Sequence, residues 1–206
     1  MNIEISVIIP VYNQEELVIK AIDSIPKRDD IEIIVIDDGS EDNTWQELIK
    51  YRNEHPKLLN LILLYNEQNQ GVGYTVNKGY DNARGEYIVL LGSDDYFYTE
   101  EFEKIINELD GTDLVYFDMQ VNNGDVWVIT QESKTVLCGS VKFMRRDFIG
   151  DTRCPIDKKS GEDKPFYETL LSKNPTEKFT GLVVKHYNHP RENSLTDLVR
   201  KGIIDD

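Results

Sequence analysis

Among the adjacent carboxylate pairs of the chain, Asp37-Asp38, Asp94-Asp95 and Glu162-Asp163 stand where chemistry could be done, at two strand ends and at the start of a helix. Asp94 and Asp95 follow, after Ser93, residues 88–92, an apolar run that reads as a strand buried on both faces. Adjacent negative charges at the mouth of an apolar sheet repel each other and lose hydration. A divalent cation between them is the simplest way to keep both ionised. Ligands of open α/β sheets bind outside the carboxyl ends of the strands, so such a cation would meet a substrate there. The same two residues also suit a solvated turn capping a helix that begins near Thr99. Asp37 and Asp38, followed by Gly39 and Ser40, stand at another strand end and suit a turn as well. Glu162 and Asp163 favour a helix N-terminus. His186 and His189 are candidates to complete a metal shell, or surface histidines. Tyr74, Tyr80 and Trp127 are candidates to stack on a base or sugar, or core aromatics.

The hydrophobic pattern supplies the frame that positions these groups. Residues 3–10 read as a first, central parallel strand that Pro10 ends, because proline cannot continue a ladder. Residues 14–25 carry Leu17, Val18, Ala21, Ile22 and Ile25 at helical spacing. A second strand at 32–36, a helix from 41–44 to Pro56, a third strand at 58–65 and a helix ending near Ala83 follow. With the strand at 88–92 the order is β-α-β-α-β-α-β, which predicts an α/β fold: a Rossmann-like, mostly parallel central sheet with helices on both faces. Beyond it the pattern predicts a helix at 99–109 and two strands, 113–119 and 125–130, joined by Asn122-Asn123-Gly124. A short helix at 141–148 would carry Lys142, Arg145 and Arg146. A helix at 162–171, a last strand at 179–184 and a tail at 186–206 with a polar turn and a short helix complete the reading.

A length of 206 residues predicts one domain, and 39% hydrophobic with 30% charged residues suits a soluble one. No apolar run approaches the roughly 20 residues of a membrane span. The apolar run at 3–10 is short and contains Glu4, with no basic segment before it, which predicts a cytoplasmic protein. Cys138 and Cys154 then read as separate thiols rather than a disulfide. The net charge of −15 argues against nonspecific binding to nucleic acid or anionic membranes. An anionic substrate would need local help, from a metal at Asp94 and Asp95. Lys142, Arg145 and Arg146 form a small patch that could touch an acidic acceptor. The turn after the first strand, PVYNQE, lacks the glycines of a dinucleotide site, Gly71 and Gly73 have Val76 in place of the third glycine and follow the third strand, which argues against such a site, and no Gly-Lys-Ser/Thr phosphate loop occurs.

Five segments in order, SVIIPVYNQ (6–14), VIDDGSEDNT (35–44), NQGVGYTVNKGYDNARGEY (69–87), LLGSDDYF (90–97) and SGEDKPF (160–166), resemble the inverting family 2 glycosyltransferases of the GT-A fold. HYNHPRENSLT (186–196) is similar to the Tyr-Arg-Ser pattern that closes many bacterial members, through Tyr187, Arg191 and Ser194. The resemblance implies that Pro10, Tyr12, Asn13, Asp37, Asp38, Asn77, Ser93, Asp94 and Arg191 bind a nucleotide sugar, with Asp38 on the base. It implies that Asp94 and Asp95 hold Mn2+ or Mg2+ on the donor diphosphate, and that Asp163 is the catalytic base. Two departures stand out. Gly92 replaces the first carboxylate of the family's DXD signature, and Val76 stands where many members have arginine, a contact that Arg84 or Lys78 could supply.

The function implied is metal-dependent transfer of a sugar, UDP-linked by expectation, to a hydroxyl acceptor: a glycan, a lipid-linked sugar, a protein or a modified nucleic acid. Residues 1–98 would bind the donor and 99–206 the acceptor, the short second half leaving room for a partner, a second copy of the chain or a large acceptor to complete the site. The rivals are a noncatalytic sugar-nucleotide or glycan-binding module on the same fold and a sugar-nucleotide nucleotidyltransferase. PVYNQE argues against the latter, which would need a glycine-rich basic loop there.

Overall fold

The structure, a computed structural model, describes residues 3–58, 60–134, 140–156, 163–192, 197 and 201. Cys138, Glu162 and Ser194 lie outside the described residues, as does most of the tail in which a short helix is expected. At the centre is β1 (Ile5–Val11), paired in parallel with β2 (Ile31–Asp37) on one side and β4 (Tyr87–Leu90) on the other. β3 (Leu61–Tyr65) pairs in parallel outside β2. Every residue of β2 is buried: Ile33 to Ile36 suit a strand covered on both faces, and Glu32 is met by the Ser6 hydroxyl at 2.6 Å and by Arg84 at 2.7 Å. Three crossover helices return the chain between these strands: α1 (Val18–Asp23), α2 (Thr44–Glu54) and α3 (Val72–Asn82). α3 lies so close to the sheet that a Cβ on Gly79 would stand 2.5 Å from Ile8 Cγ2 and 3.3 Å from Ile36 Cδ1. Only glycine permits that approach.

The rest of the chain extends the same sheet and makes it mixed, though mostly parallel. β5 (Tyr96–Phe97), α4 (Thr99–Ile106), β6 (Leu114–Val121) and β7 (Val126–Trp127) follow β4, and β6 and β7 form the expected hairpin. Gly124 (φ +91°) supplies its turn. β8 (Lys142–Arg145), α5 (Arg146–Ile149), α6 (Asp163–Ser172) and β9 (Glu177–Tyr187) follow, and the described residues form a nine-stranded sheet in the order β3-β2-β1-β4-β8-β6-β9-β5, with β7 beside β6. No helix among the described residues is long and apolar enough to cross a membrane.

Three expectations need correction. Pro10 lies inside β1 rather than ending it. The Val11 carbonyl accepts from Asp38 on the β2 side, so Pro10 faces the β4 side, where pairing stops at Ile8 opposite Leu90, and its missing N–H leaves no bond unmade. Residues 142–145 are a strand, not part of a helix, because the gap between β4 and β6 needs backbone partners on both sides. The basic patch dissolves with that helix. Lys142 is buried with Nζ 4.1 Å from the centre of the Tyr167 ring, Arg145 pairs with Asp113 at 2.5 Å, and Arg146 Nε donates to the Gly85 carbonyl at 2.8 Å.

Candidate active site

The chain leaves β1 for β2 and β3 on one side of the sheet and returns to β4 on the other. This reversal opens a crevice between the loops after β1 and β4, the usual ligand position in such sheets. Tyr12 and Asn13 form one lip, and Gly92 to Asp95 form the other. Tyr12 is exposed. Asn13 adopts φ +51°, which asparagine tolerates better than most residues. Its N–H donates to Ser40 Oγ at 3.0 Å and its Oδ1 accepts from the Glu41 N–H at 2.8 Å, binding the loops after β1 and β2 together.

Asp37 and Asp38 divide their work. Both Asp38 oxygens are engaged by the loop between β3 and α3: Oδ1 accepts from Asn66 Nδ2 (2.8 Å) and the Gln70 N–H (3.0 Å), and Oδ2 from the Gly71 N–H (2.9 Å). Lys78 Nζ supports Asn66 in turn, donating to Asn66 Oδ1 at 2.7 Å and to the Tyr65 carbonyl at 2.9 Å. Asp37 is fully buried. Its Oδ1 accepts from the Ser40 N–H at 2.8 Å, whereas Oδ2 has no hydrogen-bond partner among the described residues. That oxygen is a buried acceptor that no described donor satisfies.

Burial raises the Asp37 carboxyl above its ordinary range, the Asp42 and Asp38 charges add to the rise, and the Ser40 contact opposes it. A carboxyl raised by folding binds its proton more tightly in the folded state than in the unfolded one. Its ionised form therefore costs stability above the raised value, and that cost is relieved as pH falls through it. Asp37→Asn retains an oxygen for Ser40 and removes the charge, so it should melt higher than the wild type at pH 7. The margin should close as pH approaches the unfolded carboxylate value of about 4. Equal melting temperatures at pH 7 would contradict this.

At the exit of β4, Ser93 is buried, and Asp94 and Asp95 meet the end of the chain's last strand. Asp94 Oδ2 accepts from Arg191 Nε at 2.9 Å. Asp95 Oδ2 is 3.1 Å from Lys185 Nζ, and its Oδ1 accepts from the Asn188 N–H at 2.9 Å. Burial raises the Asp94 carboxyl, and the Asp95 charge adds to this, against the pull of Arg191. A Cβ added to Gly92 would lie 2.9 Å from Asp95 Oδ2 and 3.0 Å from Asp94 Oδ1, so one oxygen of each carboxylate turns toward the same small space. Among the described residues no group of three His, Cys, Asp or Glu side chains forms a metal cage. A cation here would have one or two carboxylates and complete its shell with phosphate and water, which suits Mg2+ or Mn2+.

Asp163 opens α6. This helix is seated by Phe166, stacked on Tyr80 of α3 with ring centres 5.4 Å apart, and by Tyr167, whose hydroxyl meets that of Tyr116. Tyr80 is thus a core aromatic, while Tyr74 is exposed. Asn77 is committed to the backbone of Cys154, donating to its carbonyl and accepting from its N–H, both at 2.8 Å. Arg84 is at the opposite end of the sheet on buried Glu32 (2.7 Å), so it cannot stand in for an arginine at position 76. His186 has partners at both ring nitrogens, Asn122 Oδ1 (2.9 Å) and the Tyr98 hydroxyl (3.3 Å), and stacks on Tyr96. His189 stacks on Tyr187 beside Trp127. The sequence reading missed Asn66, Lys185 and Asn188. For Lys185 a signal existed, a charge directly after the apolar residues 182–184.

The family described as Glycosyl transferase family 2 matches residues 6–172. An uncharacterized glycosyltransferase of Rickettsia typhi is 36% identical over 118 residues, 55% of this chain and 35% of that protein. The Staphylococcus aureus poly(ribitol-phosphate) beta-N-acetylglucosaminyltransferase TarS is 34% identical over 126 residues, 58% of this chain and 21% of that one. The chain therefore spans well under two thirds of these relatives. The structure of TarS 1-349 in complex with UDP-GlcNAc superposes with a TM-score of 0.79 at 25% identity, covering 93% of this chain and 60% of that one. The mannosyltransferase PcManGT of Pyrobaculum calidifontis, in complex with GDP-Man and Mn2+, shares the fold at 17% identity, with a TM-score of 0.75 over 98% of this chain and 61% of that one.

Proposed function

The chain belongs to glycosyl transferase family 2, and from that premise we propose that it transfers a sugar from a nucleotide diphosphate donor to a hydroxyl acceptor with inversion. The observation that supports this reading is the reversal of strand order at β1 and β4, with Asp37 and its unpartnered oxygen at the end of β2 on one side and Asp94 beside Arg191 after β4 on the other, where sheets of this kind form their ligand crevice. One end of that crevice suits hydrogen-bond donors of a nucleoside, the other a diphosphate.

In the proposed reaction the acceptor hydroxyl attacks the anomeric carbon of the donor in line with the departing diphosphate. Asp163 takes the acceptor proton, the new glycosidic bond forms as the old carbon–oxygen bond breaks, and the configuration inverts. Arg191 provides positive charge beside Asp94 where negative charge grows on the leaving group. A divalent cation held by Asp94, with Asp95 adjacent, would supply further neutralisation of the diphosphate. Of the donor classes, UDP-GlcNAc is the first to test, because TarS, 34% identical over 126 residues, has been crystallised with it.

Thermal denaturation with UDP-, GDP-, dTDP- and CDP-sugars, with and without Mn2+, tests the reading, because a ligand that binds only the folded state must raise its melting temperature. UDP-GlcNAc should raise it more with Mn2+ than without. No shift with any of the four nucleotides would count against a sugar-nucleotide site.

A further inference from the structure

Asp94 and Asp95 are neighbours held in opposite ways. Asp95 is 4% exposed with both oxygens occupied, one by Lys185 Nζ at 3.1 Å and one by the Asn188 N–H at 2.9 Å. Lys185 is itself 2% exposed, and its ammonium also donates to Ser140 Oγ at 2.5 Å. The short β5–β9 ladder pairs Phe97 with Lys185 and Tyr96 with His186, which brings the lysine alongside the turn containing Asp95. Asp94, by contrast, keeps a quarter-exposed contact through Oδ2 to Arg191. A lysine so deeply buried is costly unless its charge is met, and Asp95 is the carboxylate that meets it.

We propose that Lys185 is a positioning residue, a built-in counter-cation that takes up Asp95 and leaves Asp94 as the carboxylate that engages a divalent cation and the donor diphosphate. The clause about the donor rests on the function proposed above; the Lys185–Asp95 pairing does not. With Gly92 in place of a third carboxylate and Asp95 occupied, Asp94 and the phosphates carry the cation. The segment from 185 to 191 then acts as a staple, tying the end of β9 to the turn after β4 by three contacts.

Calorimetric titration of UDP with Mn2+, of Mn2+ alone, and melting temperatures on Asp94→Asn, Asp95→Asn, Lys185→Met and the Asp95→Asn/Lys185→Met pair test this. Asp94→Asn should weaken Mn2+-dependent UDP binding at least tenfold more than Asp95→Asn does. Asp95→Asn and Lys185→Met should each lower the melting temperature, and the double variant, which buries no lone charge, should regain most of the loss. Lys185→Met should also tighten binding of Mn2+ alone at least threefold by releasing Asp95, a change that a purely structural lysine would not produce. Equal losses of UDP affinity in Asp94→Asn and Asp95→Asn would overturn the proposal. So would a Lys185→Met protein with unchanged melting temperature and Mn2+ affinity. Should either single variant fail to fold, the charge-balanced double variant takes its place in the comparison with Asp94→Asn under the same criterion. Failure of the wild type to bind UDP would sink the donor reading, while the melting cycle would still judge the pairing.

Discussion

Asp163→Asn is expected to leave the fold and donor affinity close to those of the wild type while transfer falls roughly 100- to 10,000-fold, the usual worth of a positioned base. The fold should survive because α6 is anchored by Phe166 against Tyr80 and by Tyr167 against Tyr116, contacts that do not involve the charge at position 163. Asparagine is also as good as aspartate at a helix start. Binding and chemistry should therefore separate in this variant. Turnover with candidate acceptors and donor affinity, measured on the same protein, decide the matter. Near-normal transfer would remove Asp163 from the mechanism and return it to the role of a helix-start residue. Acceptors belong in the assay because donor hydrolysis alone could be slow in both proteins.

Asp38→Ala should cost about 3–5 kcal/mol of stability, because it strips a buried carboxylate from three donors at once. Asn66 Nδ2, the Gln70 N–H and the Gly71 N–H all lose their acceptor, and the last two belong to the loop that leads into α3. Its consequence for ligands follows from where that loop starts, with the Asn66 N–H donating to the Asp37 carbonyl at 2.8 Å. Donor affinity should fall for every nucleotide tested, since the loop borders the proposed nucleoside end of the crevice rather than the sugar. Chemical denaturation measures the first effect and calorimetry with several nucleotides the second. A loss confined to one sugar, or a melting curve like that of the wild type, would contradict this role for Asp38.

The parallel half of the sheet was legible because strands covered on both faces carry unbroken apolar runs, here 7–9 in β1, 33–36 in β2 and 87–90 in β4. The hairpin of β6 and β7 was legible from its Asn-Asn-Gly turn. Residues 142–145 were not, since Lys142 and Arg145 break the apolar run, and it is tertiary partners, Tyr167 and Asp113 among them, that make those charges acceptable in a strand. The carboxylates of the site could be picked out by type and position, but not the division of labour within each pair. Whether Asp38 faces a ligand or a loop depends on Asn66, Gln70 and Gly71, and whether Asp95 is open depends on Lys185, 90 residues away in the chain. Those partners are set by the register of β5 on β9 and by the path of a loop, which local sequence does not encode.

The most direct measurement of the account is a crystal structure of the protein with UDP-GlcNAc and Mn2+. The nucleoside should lie against Tyr12 and Asp37 and the diphosphate at Asp94, and Asp95 should remain paired with Lys185. A nucleotide bound away from the β1–β4 crevice would contradict it.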